Sequence, residues 1–95
     1  MENKKITEGE EIVTLCSALS NEKRVRLLQY IHEVGQVTLR EVHENFSNEI
    51  GLSHRETTHK YLEKLVDSDI LKKERDAEVN EFVYFTDFDC VEIIL

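Results

Sequence analysis

Proline is absent from this 95-residue chain, and glycine occurs only three times. That scarcity leaves no flexible linker, low-complexity tract or internal repeat, and no glycine loop able to cradle a phosphate. Cysteine occurs twice, at Cys16 and Cys90, too few and too far apart for a disulfide framework or for paired zinc ligands. No long apolar run or secretory hydrophobic region is present, so the sequence predicts a cytoplasmic protein in a reducing setting with no membrane partner. Cations are also short, with 12 Lys+Arg against 20 Asp+Glu and a net charge of −8. A field of that sign does not draw the molecule as a whole toward a polyanion. Nucleophile elbows and HExxH are missing as well, and no enzyme or cofactor is expected.

What is present is helical periodicity broken by capping signals. Residues 1–7 are polar and charged and are expected to be a flexible tail, followed by a single domain over 8–95. Ile12, Leu15, Cys16 and Leu19 mark the inward face of a first helix, with Glu8, Glu10 and Glu11 near its positive end. Ser20 or Asn21 caps a second helix whose stripe is Val25, Leu27, Leu28, Ile31, His32 and Val34, ended by Gly35. Val37 suits a short strand able to pair with a later hairpin. Thr38 with Glu41 has capping-box spacing for a third helix, facing inward through Leu39, Val42 and Phe46 and possible extension to Ile50. Its outer face carries Arg40, Glu41, Glu44 and Asn45.

The stretch SHRETTHKYLEKLVDSDILKKER, residues 53–75, organises the rest. Ser53 and Glu56 repeat the capping-box spacing, and Thr58, Tyr61, Leu62 and Leu65 form one inward face of a helix over 53–68. Glu56, Thr57, Lys60, Glu63 and Lys64 point the other way, flanked by Arg55 and His59. Residues 70–74 and 81–85 read as two strands joined by a loop over 75–80. Asp89 with Glu92 offers a third capping box, which predicts a short final helix through Val91, Ile93, Ile94 and Leu95.

LCSALSNEKRVRLLQYI and LSHRETTHKYLEKLVDSDIL, with this element order, resemble the ArsR-type winged helix-turn-helix regulators from about Leu15 onward. The resemblance implies a mainly α fold with a small β-hairpin wing (α+β), ordered helix-helix-(strand)-helix-helix-strand-strand-helix. It implies a cytoplasmic homodimer joined through its first and last helices, here Ile12, Leu15, Cys16, Leu19, Val91, Ile94 and Leu95. It also implies a double-stranded DNA partner with a roughly palindromic operator, the helix over 53–68 in the major groove, and a repressor's role.

Charge is distributed to suit that reading. Residues 53–75 carry six cations against five anions, while 1–52 sum to −3 and 76–95 to −6. The DNA-contacting set is therefore Ser53, His54, Arg55, Thr57, His59, Lys60, Lys64, Lys72, Lys73 and Arg75. Thr57, His59 and Arg55 suit base edges, and Lys60 and Lys64 suit phosphates. Asp76, Glu78 and Glu81 depart from the family's basic wing and would repel phosphate at close range.

The metal sites of ArsR-type sensors find no match. VTLREVHENF lacks a Cys-x-Cys pair, and Asp87-Phe88-Asp89 leads into CVEIIL without histidine. Cys16 and Cys90 fall on the two terminal elements expected to meet, a candidate redox pair. They also read as small buried hydrophobes. A different class, an acidic interaction module that docks on protein without binding a duplex, fits the acidic total and wing.

Overall fold

The structure, a computed structural model, describes residues 3–95; Met1 and Glu2, the start of the expected tail, lie outside the described residues. Helix α1 (Gly9–Ala18) starts with Glu10 and Glu11 at its positive end and buries Leu15 and Ala18. Cys16, expected inward, is exposed, and Ile12 and Leu19 are half-buried, because the packed face is turned toward the small Ala18. Asn21 caps α2 (Glu22–Val34) by accepting from Arg24 N–H, while Leu27 and Ile31 are fully buried. The Arg24 guanidinium reaches back to the carbonyls of Ala18 and Ser17 at 2.7 and 3.1 Å, satisfying two of the acceptors that end α1. Gly35 closes α2 at φ +108°, where a side chain would be strained.

Strand β2 (Gln36–Thr38) runs directly into α3 (Leu39–Asn45) through the predicted capping box. Glu41 N–H donates to Thr38 Oγ1 at 3.1 Å, and Thr38 N–H donates to Glu41 Oε1 at 2.9 Å. A 3-10 turn at Ser47–Ile50 follows, so the link to α4 (Arg55–Asp67) is looser than a tight helix-turn-helix corner. Ser47 and Thr58, both fully buried, hydrogen-bond at 2.9 Å and fix that turn against α4. The Ser53–Glu56 box does not form. His54 is the N-cap, with no side-chain cap, so Ser53 stands one residue too early.

Ile70 and Leu71, expected to begin a strand, are buried core links instead, positioned by bonds from both their N–H groups to the Leu65 carbonyl. Strand β3 (Lys72–Asp76) turns through residues 77–80 into β4 (Glu81–Phe85). The antiparallel sheet has order β2-β4-β3, with Val37 opposite Tyr84 and Lys73 opposite Tyr84 on the other side. All four helices and this sheet share one core, led by Leu27, Ile31, Val42, Leu62 and Leu65.

Both chain ends correct the sequence expectations. Residues 3–6, expected as tail, form β1 (Asn3–Ile6), and Ile6 is 2% exposed in the core. The expected final helix is instead β5 (Cys90–Ile93), parallel to β1 with Ile6 opposite Ile93 and with Ile94 N–H on the Ile6 carbonyl. Val91, Ile93 and Ile94 are β-branched and lose little freedom in an extended chain, and Ile6 offers them an edge. Asp89 therefore caps nothing and pairs with His32 at 2.9 Å.

Candidate nucleic-acid interface

The outer face of α4 and the adjoining face of the hairpin carry most of the residues singled out from sequence. Strand alternation puts Lys73 and Arg75 with Phe82 and Tyr84 on the side toward α4. Lys72 lies on the opposite side, lining a small cleft with Asn3, Lys4, Asp87 and Phe88. Lys72 is thus separated from the set in which it was expected.

Glu63, expected to face solvent, is the junction between α4 and the hairpin. It accepts from Lys73 Nζ at 2.9 Å and from the Tyr84 hydroxyl at 3.1 Å, with His59 Nε2 at 3.9 Å. Desolvation pushes the Glu63 carboxyl upward. The hydrogen bonds from Lys73 and Tyr84 and the charges of Lys73 and His59 outweigh it and hold the group below its ordinary value. Burial, then the adjacent Glu63 charge and hydrogen bond, push the Tyr84 hydroxyl far up, so it stays a donor. Lys73 Nζ also lies 4.5 Å from the Phe82 ring centroid. This lysine is committed within the protein.

Arg40, which the sequence reading placed on the outer face of α3 with no assigned role, joins this surface. Its Nε lies 3.5 Å from Glu81 and its Nη1 4.0 Å from Glu44. The hydrogen bond and charge of Glu81 raise its already high pKa, so it remains a cation. Glu81, expected to repel phosphate, faces Arg40 with one oxygen, while its other oxygen, Oε2, is buried without a hydrogen-bond partner among the described residues. No local pattern reveals the pairing, because Arg40 and Glu81 are 41 positions apart and meet only when β2 delivers α3 to β4.

A groove of about 210 Å³ opens where α3, α4 and the hairpin converge, lined by Arg40, Arg55, His59 and Arg75, with Glu81 its one carboxylate among the described residues and Thr38 and Asn80 two of its neutral groups. The chain has five arginines, and three of them line this groove. Arg75 donates to Asn80, which holds φ +54° in the hairpin turn and fixes the guanidinium there. Arg55, Lys60 and Lys64 are exposed and have no ion pair among the described residues. Thr57 is half-buried beside them, and Ser53 and His54 are exposed ahead of the helix. Exposed cations on α4 and the arginines of the groove are groups of the kind that hold a phosphate backbone while neutral side chains approach base edges.

The residues expected at a dimer contact differ in exposure. Leu15 is 2% exposed and belongs to this chain's own core, and Val91 is half-buried on β5. Ile94 and Leu95 are exposed, as are Val13 and Ile93. Cys16 and Cys90 are both exposed free thiols, Cys16 on α1 and Cys90 opening β5. Among the described residues no cluster of His, Cys, Asp or Glu is arranged to hold a metal, and no helix is long and apolar enough to cross a membrane.

A family model described as penicillinase repressor matches residues 20–92. Among solved structures, the chain is similar to NolR from Sinorhizobium fredii, at 24% identity and a TM-score of 0.64 over 84% of this chain and 72% of that one. It is similar to the transcriptional regulator HlyU from Vibrio vulnificus CMCP6, at 19% identity and a TM-score of 0.59 over 81% and 72% of the two chains. Reduced HlyU from Vibrio cholerae N16961 aligns at 19% identity with a TM-score of 0.60, over 81% and 73%. No curated protein matches the sequence. The winged helix-turn-helix expectation is met by these shared folds, and the family whose model matches is the penicillinase repressor family.

Proposed function

The chain belongs to the penicillinase repressor family and is a DNA-binding transcriptional regulator, and from that premise we propose how it meets a duplex. Helix α4 enters the major groove, Thr57 and His59 face base edges, and Lys60 and Lys64 take flanking phosphates. Arg40, Arg55 and Arg75 clasp one strand of the backbone in the groove between α4 and the hairpin. The observation that carries this is the convergence of three of the five arginines on that groove in a chain of net charge −8. An acidic molecule that concentrates its guanidiniums at one place orients a polyanion there and repels it elsewhere.

Two copies act together on a roughly palindromic operator and repress by occupying it. Support for pairing comes from exposed Val13, Ile93, Ile94 and Leu95, apolar surface that a second copy would cover. With Leu15 committed inside, the contact uses the outer side of α1 and the exposed end of β5 rather than two helices.

Selection of bound duplexes from random DNA at low salt tests the reading. Lys60→Ala and Arg40→Ala are expected to weaken all duplexes alike and to flatten the salt dependence by about 0.9 in log–log slope per lost phosphate contact. Thr57→Ala is expected to change the preference among duplexes. Equal affinity of parent and all three variants for every duplex would refute the assigned roles.

A further inference from the structure

We propose that the cleft between α2 and the segment leading into β5 is a binding site for small apolar amines. This rests on observations separate from the DNA-facing surface. Leu28, Ile70, Phe88 and Val91 form its apolar walls, and its volume is about 350 Å³. That is the lower end of the range in which small-molecule sites occur.

The polar groups at the cleft decide the ligand's head. His32 Nε2 lies 2.9 Å from Asp89 Oδ1, and His32 Nδ1 lies 2.6 Å from Thr86 Oγ1. His32 thus bridges Thr86 and Asp89, and both of its ring nitrogens are committed to these partners. What remains on offer is the second carboxylate oxygen of Asp89, without a partner among the described residues, and the exposed amide of Gln29. Among the described residues no lysine or arginine lines the cleft. Phe88 also lines the neighbouring smaller cleft, and Lys4 lies there, 5.9 Å from the ring centroid. An anionic head would meet the Asp89 carboxylate at the cleft. An ammonium head finds that carboxylate as its partner, while its hydrocarbon body replaces water on the apolar walls.

A chemical-shift titration of the full chain at neutral pH and low salt tests this with three probes of one shape: phenethylamine, phenethyl alcohol and hydrocinnamate. Saturable shifts at Leu28, Ile70 and Val91 are expected for the amine in the millimolar range usual for a fragment. The alcohol should bind about tenfold more weakly and hydrocinnamate not measurably. Gln29→Lys, a change at an exposed rim position, should reverse the order of amine and carboxylate without altering the thermal midpoint. The proposal is overturned if the amine gives no saturable shift, if the three probes bind equally, or if Gln29→Lys leaves their order intact. It is also overturned if the cleft resonances move with protein concentration alone, which would assign the cleft to a second copy.

Discussion

Replacing Glu63 by glutamine separates the two consequences of holding Lys73 inside the protein. Glutamine keeps the shape and one acceptor oxygen, so the Tyr84 bond survives while the carboxylate's charge is lost. A hydrogen bond to a charged group contributes about 1.5–3 kcal/mol when buried, and an exposed ion pair about 0.2–1 kcal/mol. The Glu63 side chain is 32% exposed and that of Lys73 24%, between those limits. The expected loss is therefore about 1–2 kcal/mol of folding stability. For a chain of this length that lowers the thermal midpoint by roughly 5–12 °C. DNA binding should move in the opposite direction. Lys73 is released beside the arginine groove, so affinity at low salt should rise and the salt dependence should steepen by about 0.9 in log–log slope. Urea unfolding and fluorescence anisotropy on one duplex at several salt concentrations measure the two effects. An unchanged unfolding midpoint, or greater affinity with an unchanged slope, would refute the reasoning.

Acidity acts on the same junction. Because the folded protein holds the Glu63 carboxyl below its ordinary value of 4.5, its stabilisation is fully present above that value and is lost as pH falls through the depressed one. The urea midpoint of the parent should therefore fall more steeply on acidification than that of Glu63→Gln. Thr38→Ala removes the side-chain acceptor from Glu41 N–H and should cost about 1 kcal/mol by urea unfolding. Gly35→Ala meets no atom within 4 Å, so only the backbone at φ +108° resists it. The expected cost is about 1–3 kcal/mol with no change in DNA affinity, and a neutral result would show that the turn relaxes.

How much could be read in advance follows the range of the interaction concerned. Asn21, Thr38 with Glu41, and Gly35 act on backbone groups within four residues, so their effects were legible locally. The same spacing at Ser53–Glu56 misled by one residue, because buried Thr58 and Ser47 set where α4 starts. Asp89–Glu92 misled altogether. A capping box there would add a helix end, but a strand beside Ile6 pairs the backbone and buries an isoleucine in the core.

The sequence by itself determined the helical stripes, the hairpin, the poverty of cations and their concentration in residues 53–75, since periodicity and charge are properties of neighbours along the chain. Only the tertiary structure decided which cations are available. It spent Lys73 on Glu63, turned Lys72 away, and brought Arg40 to Arg55 and Arg75 across β2 and β4. The pairing of a charge depends on distance in space, and no pattern along the chain measures that distance before the strands have met.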